Sequence, residues 1–370
     1  MAKQFAADQV GSFLRPVGIK EARIKFHAGE IDADVLAFVE DSAIRGALDR
    51  QQAAGVDVYS DGEFRRSGFQ WDLIEAVEGY VNTDVPVVNR MWQGGGDEQP
   101  VQQGTSQAVG AKLKQTRRLT EAQTAFMKDN SPGAFKMTVP SANQFPTLGF
   151  QPGLTDKFYA NRSELLWDIA DIIKAEITAL AADGVPYIQI DAPRYAYYVD
   201  PKWRQHLVDL GEDPDKLLDE AVAADAFCFA AAAGSGALTA LHVCRGNNQS
   251  MWYAQGGYEP IAEKLFSQIK VDRLLLEYDT DRSGTFEPLR FVRPETDVVL
   301  GLVSTKDPTL EKQDDLLRRI DEASKFVPLE RLALSPQCGF ASTEAGNALT
   351  EDEQWRKIDL VVETARKVWG

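Results

Sequence analysis

Residues 163–191 read SELLWDIADIIKAEITALAADGVPYIQID. Leu165, Leu166, Ile169, Ile172, Ile173, Ile177 and Leu180 recur at the spacing of one helix face, which predicts a helix over 163–182. Asp183-Gly184 then breaks the period, and the run 187–191 predicts a short buried strand that ends on a carboxylate, Asp191. Working outward, similar apolar runs lie at 9–13, 56–60, 134–139, 237–243, 273–278, 298–303 and 332–335. Helical periods separate several of them, at 215–232, 261–269 and 310–326, and a last one covers 351–368. Strands alternating with helices imply a parallel sheet. Eight such units with a closing helix predict an α/β fold of the (β/α)8 TIM-barrel kind. An open doubly wound sheet would ordinarily carry a dinucleotide-type glycine fingerprint, and the Gly94-Gly95-Gly96 run lacks its last glycine.

Residues 80–120 are the irregular part. Strand-like pieces at 81–88 and 101–109 flank a Gly-rich polar middle, which predicts a β-hairpin inserted between the second and third strands. Without a Pro, Gly or Ser-rich linker or a fixed repeat, the 370 residues read as one barrel domain spanning 1–370. Hydrophobic residues at 44% and charged ones at 26% suit a folded protein with a full core. The formal net charge of -16 opposes nucleic acid or an anionic membrane as partner. No apolar stretch reads as a signal peptide or a membrane span, so the expected location is the cytoplasm. Three scattered cysteines, 228, 244 and 338, are too few for a secreted disulfide framework and are expected as thiols or metal ligands.

In a barrel the chemistry sits at the carboxyl ends of the strands. Those ends here carry Ser12 and Arg15, Asp61 and Glu63, Ser141, Asp191, His242 and Cys244, Glu277, Lys306, and Cys338. His242 and Cys244, two apart on an extended segment, project to one side and can grip one ion. With Glu277 and Cys338 they make a His, Cys, Glu, Cys set that suits Zn2+ better than Mg2+ or Ca2+. The plainer alternative is a satisfied core histidine beside a small buried cysteine. Asp61 and Glu63 likewise admit a plainer reading, a solvated turn paired with Arg65 and Arg66.

Five segments carry a resemblance: VGSFLRP (10–16), DGEFRR (61–66), IQID (188–191), LHVCRGN (241–247) and LSPQCGF (334–340). In that order, and over about residues 8–365, the chain resembles the catalytic domain of cobalamin-independent methionine synthases, most closely their short single-domain members. The resemblance implies a zinc ion held by His242, Cys244, Glu277 and Cys338, and activation of a thiol such as homocysteine for methyl transfer. It also implies that Glu63 and Asp191 hold the substrate amino group and that the Ser12 segment, with Arg15, holds its carboxylate. Chemically, two thiolates and a carboxylate leave Zn2+ a formal site charge near −1, so a bound thiol loses its proton yet stays nucleophilic.

Two departures bear on the donor. No second barrel precedes the matching region, and Lys306, in Ser304-Thr305-Lys306-Asp307-Pro308, stands where the family places its acid histidine. Lys306 is thus the expected proton donor, with Asp191 beside it as a catalytic candidate, and the methyl donor is expected to differ from polyglutamylated methyltetrahydrofolate. Two competing functions are a zinc-dependent epoxide-opening transfer to a sulfonate thiol of the coenzyme M type and a non-catalytic zinc-binding barrel. Among the remaining residues, Cys228 is expected in the core, and His27 and His206 on the surface. Tyr195, Tyr197, Tyr198 and Trp203 either stack on a planar donor or pack their own loop. The oligomeric state stays open.

Overall fold

The computed structural model describes residues 3–83, 92–94 and 106–370. The helix Arg162–Ala182 starts where Asn161 accepts the Glu164 N–H through its side chain, and it buries the predicted face, Leu165, Leu166, Ile169, Ile172, Ile173, Ile177 and Leu180. It ends at Asp183, and Gly184 takes a left-handed φ of 74° that turns the chain into the next strand.

An antiparallel pair, β1 (Val77–Thr83) and β2 (Ser106–Gln115), forms the two ends of the predicted insertion. The parts of the expected strands at 84–88 and 101–105 lie outside the described residues. Six parallel strands then follow in chain order: β3 (Lys136–Pro140), β4 (Tyr187–Asp191), β5 (Leu238–Val243), β6 (Arg273–Glu277), β7 (Asp297–Val303) and β8 (Leu332–Pro336). Helices Pro214–Phe229, Glu259–Gln268 and Gln313–Ser324 connect successive strands. The closing helix Glu351–Trp369 begins with a reciprocal Thr350–Glu353 cap.

The first two predicted strands occupy the gap between β8 and β3 but touch their neighbours only at single bridges, Ala7 to Leu334, Ser12 to Gly62 and Tyr59 to Phe135. Side chains take the place of the missing ladder. Gln51 bonds both the N–H and the C=O of Ser60, Ser60 Oγ donates to Gly11 O, and Gln189 Nε2 donates to Val10 O. These bonds close the (β/α)8 barrel with two irregular staves.

Strand alternation sorts the interior. Leu274, Leu276, Val298 and Leu300 join the large core under the helices, while Tyr187, Ala240, Leu275, Val299 and Ala333 form a separate apolar cluster inside the barrel. Lys136 and Arg273 share this inward parity, and both pair with the fully buried Asp8, at 2.7 Å each. Among the described residues no helix is long and apolar enough to cross a membrane.

Candidate metal and substrate site

The parity that turns Tyr187, Ala240 and Leu275 inward places Asp191, His242, Cys244 and Glu277 inside the barrel mouth. Asp191 pairs in register with His242. Ser12, Glu63, Phe69, Asp191, His242, Cys244 and Cys338 line one cleft there.

His242, Cys244 and Cys338 each offer a ligand atom, and these atoms lie within 4.8 Å of one another. All three residues are buried. His242 Nδ1 sits 3.3 Å from Leu275 O, while its buried Nε2 has no hydrogen-bond partner. That orphan nitrogen beside two sulfur atoms is what a soft cation needs, and the residues fit a zinc ion. A hydrogen bond from Cys244 holds the Cys338 thiol well below its ordinary range, against burial and with help from His242. The same bond to Cys338, then burial, pushes the Cys244 thiol well up.

Glu277 lies outside that tight group, with both oxygens occupied. Oε1 pairs with Arg282, and Oε2 accepts the Arg245 N–H at 2.8 Å and Gln337 Nε2 at 3.3 Å. Burial would raise its carboxyl, but Arg282, Lys306 and Arg245 outweigh burial and hold it at about 2. Lys306 Nζ is buried without a hydrogen-bond partner, and its charge acts on Glu277, Cys244 and Cys338.

Two carboxylates, Glu63 and Asp191, line the same cleft. Asp61 and Glu63 are buried, so they are not a solvated turn, although Glu63 Oε1 does lie 3.8 Å from Arg66 Nη1, one of the two arginines that reading paired with them. Asp61 Oδ1 accepts the Glu63 N–H at 2.8 Å, and Glu63 itself has φ 59°, a left-handed conformation that costs a non-glycine residue roughly 1–2 kcal/mol. Glu63 Oε1 accepts from Thr138 Oγ1 at 3.2 Å, and Oε2 is buried without a partner. Asp191 Oδ1 accepts from Gln189 Nε2 at 2.7 Å. Burial raises both carboxyls; for Asp191, His242 opposes and Glu63 adds to the rise, which reaches about 7.

Ser12 Oγ accepts the Ala341 N–H at 3.3 Å at the edge of this cleft. Arg15 sits differently. Its guanidinium donates to the carbonyls of Ala341, Glu63 and Arg66, so it ties three loop positions together. Tyr197 and Trp203 stack at 4.0 Å with Tyr253 edge-on to both, which packs their loop. Cys228 is buried in the core, as expected, and His27 is exposed. His206 is half-buried with its ring edge-on to Trp203, a correction to its surface placement that follows from Trp203 folding inward. Gln189 and Thr138, which orient the two carboxylates, were not singled out in the sequence. Their signal was there: polar residues at inward positions of otherwise apolar strands.

The chain from residue 5 to 366 matches the family model described as the cobalamin-independent synthase, catalytic domain. It is 40% identical to the uncharacterized protein YxjH of Bacillus subtilis, over 99% of this chain and 95% of that one. It is 24% identical to a methionine synthase of Saccharolobus solfataricus, over 89% and 86%. Among solved structures it resembles a putative vitamin-B12 independent methionine synthase from Listeria monocytogenes, with a TM-score of 0.75 and 30% identity, covering 100% of this chain and 99% of that one. A B12-independent methionine synthase from Shewanella sp. W3-18-1, in complex with selenomethionine, has the same fold at a TM-score of 0.74 and 20% identity, covering 99% and 98%. A match over nearly the whole chain, together with a cleft that brings the quoted motifs into one place, makes this protein a member of the cobalamin-independent methionine synthase catalytic-domain family.

Proposed function

We propose that this protein is a zinc-dependent methyltransferase that methylates the sulfur of homocysteine to give methionine, with residues 1–370 acting as one catalytic barrel. The observation that carries the reading is one cleft lined both by the His242, Cys244 and Cys338 group and by the Glu63 and Asp191 pair. His242, Cys244 and Cys338 would hold the metal, with Glu277 as the adjoining fourth candidate. A bound zinc supplies Lewis acidity that lets a thiol lose its proton near neutral pH while keeping its nucleophilicity.

The remaining roles belong to the chain. The partnerless Glu63 Oε2 and the Asp191 carboxylate receive a substrate ammonium, which would favour their ionised forms despite burial. Gln189 and Thr138 fix those carboxylates before substrate arrives. The substrate sulfur forms a bond to the methyl carbon as the bond from that carbon to its donor breaks. Lys306, with its uncommitted ammonium, gives a proton to the departing donor. The complex of the Shewanella relative with selenomethionine, a methionine analogue, is in line with a methionine-like product. A sulfonate thiol would meet the negative charge of Glu63 and Asp191, and Arg15 Nη1 and Nη2 already donate to carbonyls, which weighs against the epoxide-opening alternative. A cytoplasmic setting, in which the three free thiols stay reduced, belongs to the same reading.

The test is zinc content with thioether formation. Purified protein should hold near-stoichiometric zinc, Cys244→Ala and Cys338→Ala should lose most of it, and homocysteine with a methyl donor should give methionine by mass detection. Full zinc retention in both variants would remove the metal centre from the proposal. Methylation of 2-mercaptoethanesulfonate in preference to homocysteine would replace the substrate.

A further inference from the structure

Five arginines at or near the barrel interior are almost fully buried, and four of them have hydrogen-bond partners on their terminal nitrogens, although Arg15 Nε has none and Arg66 Nε only faces Asp72. Arg15 bonds three carbonyls, Arg66 bonds Thr138 and faces Asp72, Arg245 bonds Gly256 O and Tyr258, and Arg273 bonds Asp8 and Phe5 O. Arg194 is the exception. It is 1% exposed, yet Nε, Nη1 and Nη2 all lack a hydrogen-bond partner, and among the described residues no carboxylate lies within ion-pair distance. Its guanidinium lies over the Tyr197 ring, 4.2 Å from the guanidinium carbon to the ring centre. A ring face recovers about 0.5–2 kcal/mol, well short of the several kcal/mol that removing a cation from water costs.

The surroundings are short of acceptors in the same way. Arg194 lies in the turn Pro193–Tyr195 after β4, which packs against the turn Ala142–Gln144 after β3. In that second turn Asn143 Nδ2 is buried without a partner, while Asn143 Oδ1 accepts the Tyr198 hydroxyl at 3.1 Å. The Arg194 charge acts on that same hydroxyl, which accords with the packing of the two turns. Asp225 holds both turns, accepting Ser141 Oγ and Tyr195 Oη at 2.8 Å each, so the arrangement is fixed rather than incidental. Pro193, the neighbour of Arg194, lines the substrate cleft.

From these free donors we infer that Arg194 and Asn143 form an oxyanion-binding subsite beside the thiol cleft, which receives a carboxylate or phosphate group of a second ligand. A guanidinium fork and an amide N–H2 offer donors only, and a planar or tetrahedral oxyanion is the group that satisfies several of them at once. Identifying that ligand as the methyl donor rests on the function proposed above. The anion subsite itself does not, because it is measured without turnover and without homocysteine.

The experiment is calorimetric titration of the zinc-loaded full chain with inorganic phosphate and, separately, with glutarate, together with thermal unfolding in each. Saturable binding of either probe, a raised unfolding temperature, and at least about a tenfold weaker affinity in Arg194→Met support the subsite. Arg194→Lys, which keeps the charge and loses the fork, should fall between. Glutarate alone binding points to a carboxylate of the donor, and phosphate alone to a phosphorylated ligand or free phosphate. Equal probe affinity in wild type and Arg194→Met, or no saturation by either probe with wild type, overturns the inference and leaves Arg194 satisfied by Tyr197 and water only. Homocysteine binding that fails while the anion response persists would count against the proposed function and leave the subsite standing.

Discussion

Asp225 gives a quantitative test of how the mouth of the barrel is held. Its carboxyl is fully buried on the helix Pro214–Phe229 and is raised from 3.8 to about 7. Burial is the cause, only partly offset by the hydroxyls of Ser141 and Tyr195, and no neighbouring charge contributes. The folded state therefore keeps a proton that the unfolded chain releases between about pH 4 and 7. The stabilisation is full below about pH 4 and is lost as the pH rises through 7, the direction required when the folded pKa is the higher one. A shift of about 3 units at 1.36 kcal/mol each gives roughly 4 kcal/mol. Asp225→Asn removes the titration and keeps polar atoms toward both hydroxyls. Urea unfolding of both proteins at several pH values should show the variant gaining on wild type by roughly 4 kcal/mol from pH 4 to 8, other carboxyls cancelling in the difference. A gap that stays constant over that range would refute the reasoning, because the carboxyl would then titrate alike in both states.

Glu63→Gln should weaken homocysteine binding by roughly 1.5–3 kcal/mol, about 10- to 150-fold, with zinc content intact; calorimetry against homocysteine and its des-amino analogue checks it, since only the amine-bearing thiol should respond. Lys306→Met should lower kcat with little change in homocysteine affinity if the ammonium serves only the departing donor, and an unchanged kcat would exclude that role. Gly301→Ala should destabilise the barrel by about 1–3 kcal/mol, because the added Cβ would stand 2.8 Å from both Gln337 Cα and Leu276 O, which are backbone atoms that cannot swing aside. Urea denaturation reads that cost, and a neutral substitution would mean that β7 and β8 yield more easily than their close packing implies.

The sequence by itself determined the barrel, because alternating apolar runs and helical periods are local signals. It also singled out His242 and Cys244, whose spacing of two on a strand guarantees a common side. Cys338 entered the set only through its place after the eighth strand of an assumed barrel, since it lies 94 residues beyond Cys244 and no local period links them. Only the tertiary structure decided the rest. The stretches 9–13 and 56–60 have strand-like composition, yet Gln51, Ser60 and Gln189 side chains bond their backbones, and a contact from residue 189 to Val10 leaves no trace in local pattern. Arg15 and Arg194 are both arginines just past a strand end, and the sequence marks only Arg15, through its motif, as a candidate for binding a ligand. Folding set three carbonyls on Arg15 and, among the described residues, no hydrogen-bond partner on Arg194, because such partners are supplied by whichever loops converge at the barrel mouth, and that convergence is a property of the closed ring rather than of either segment.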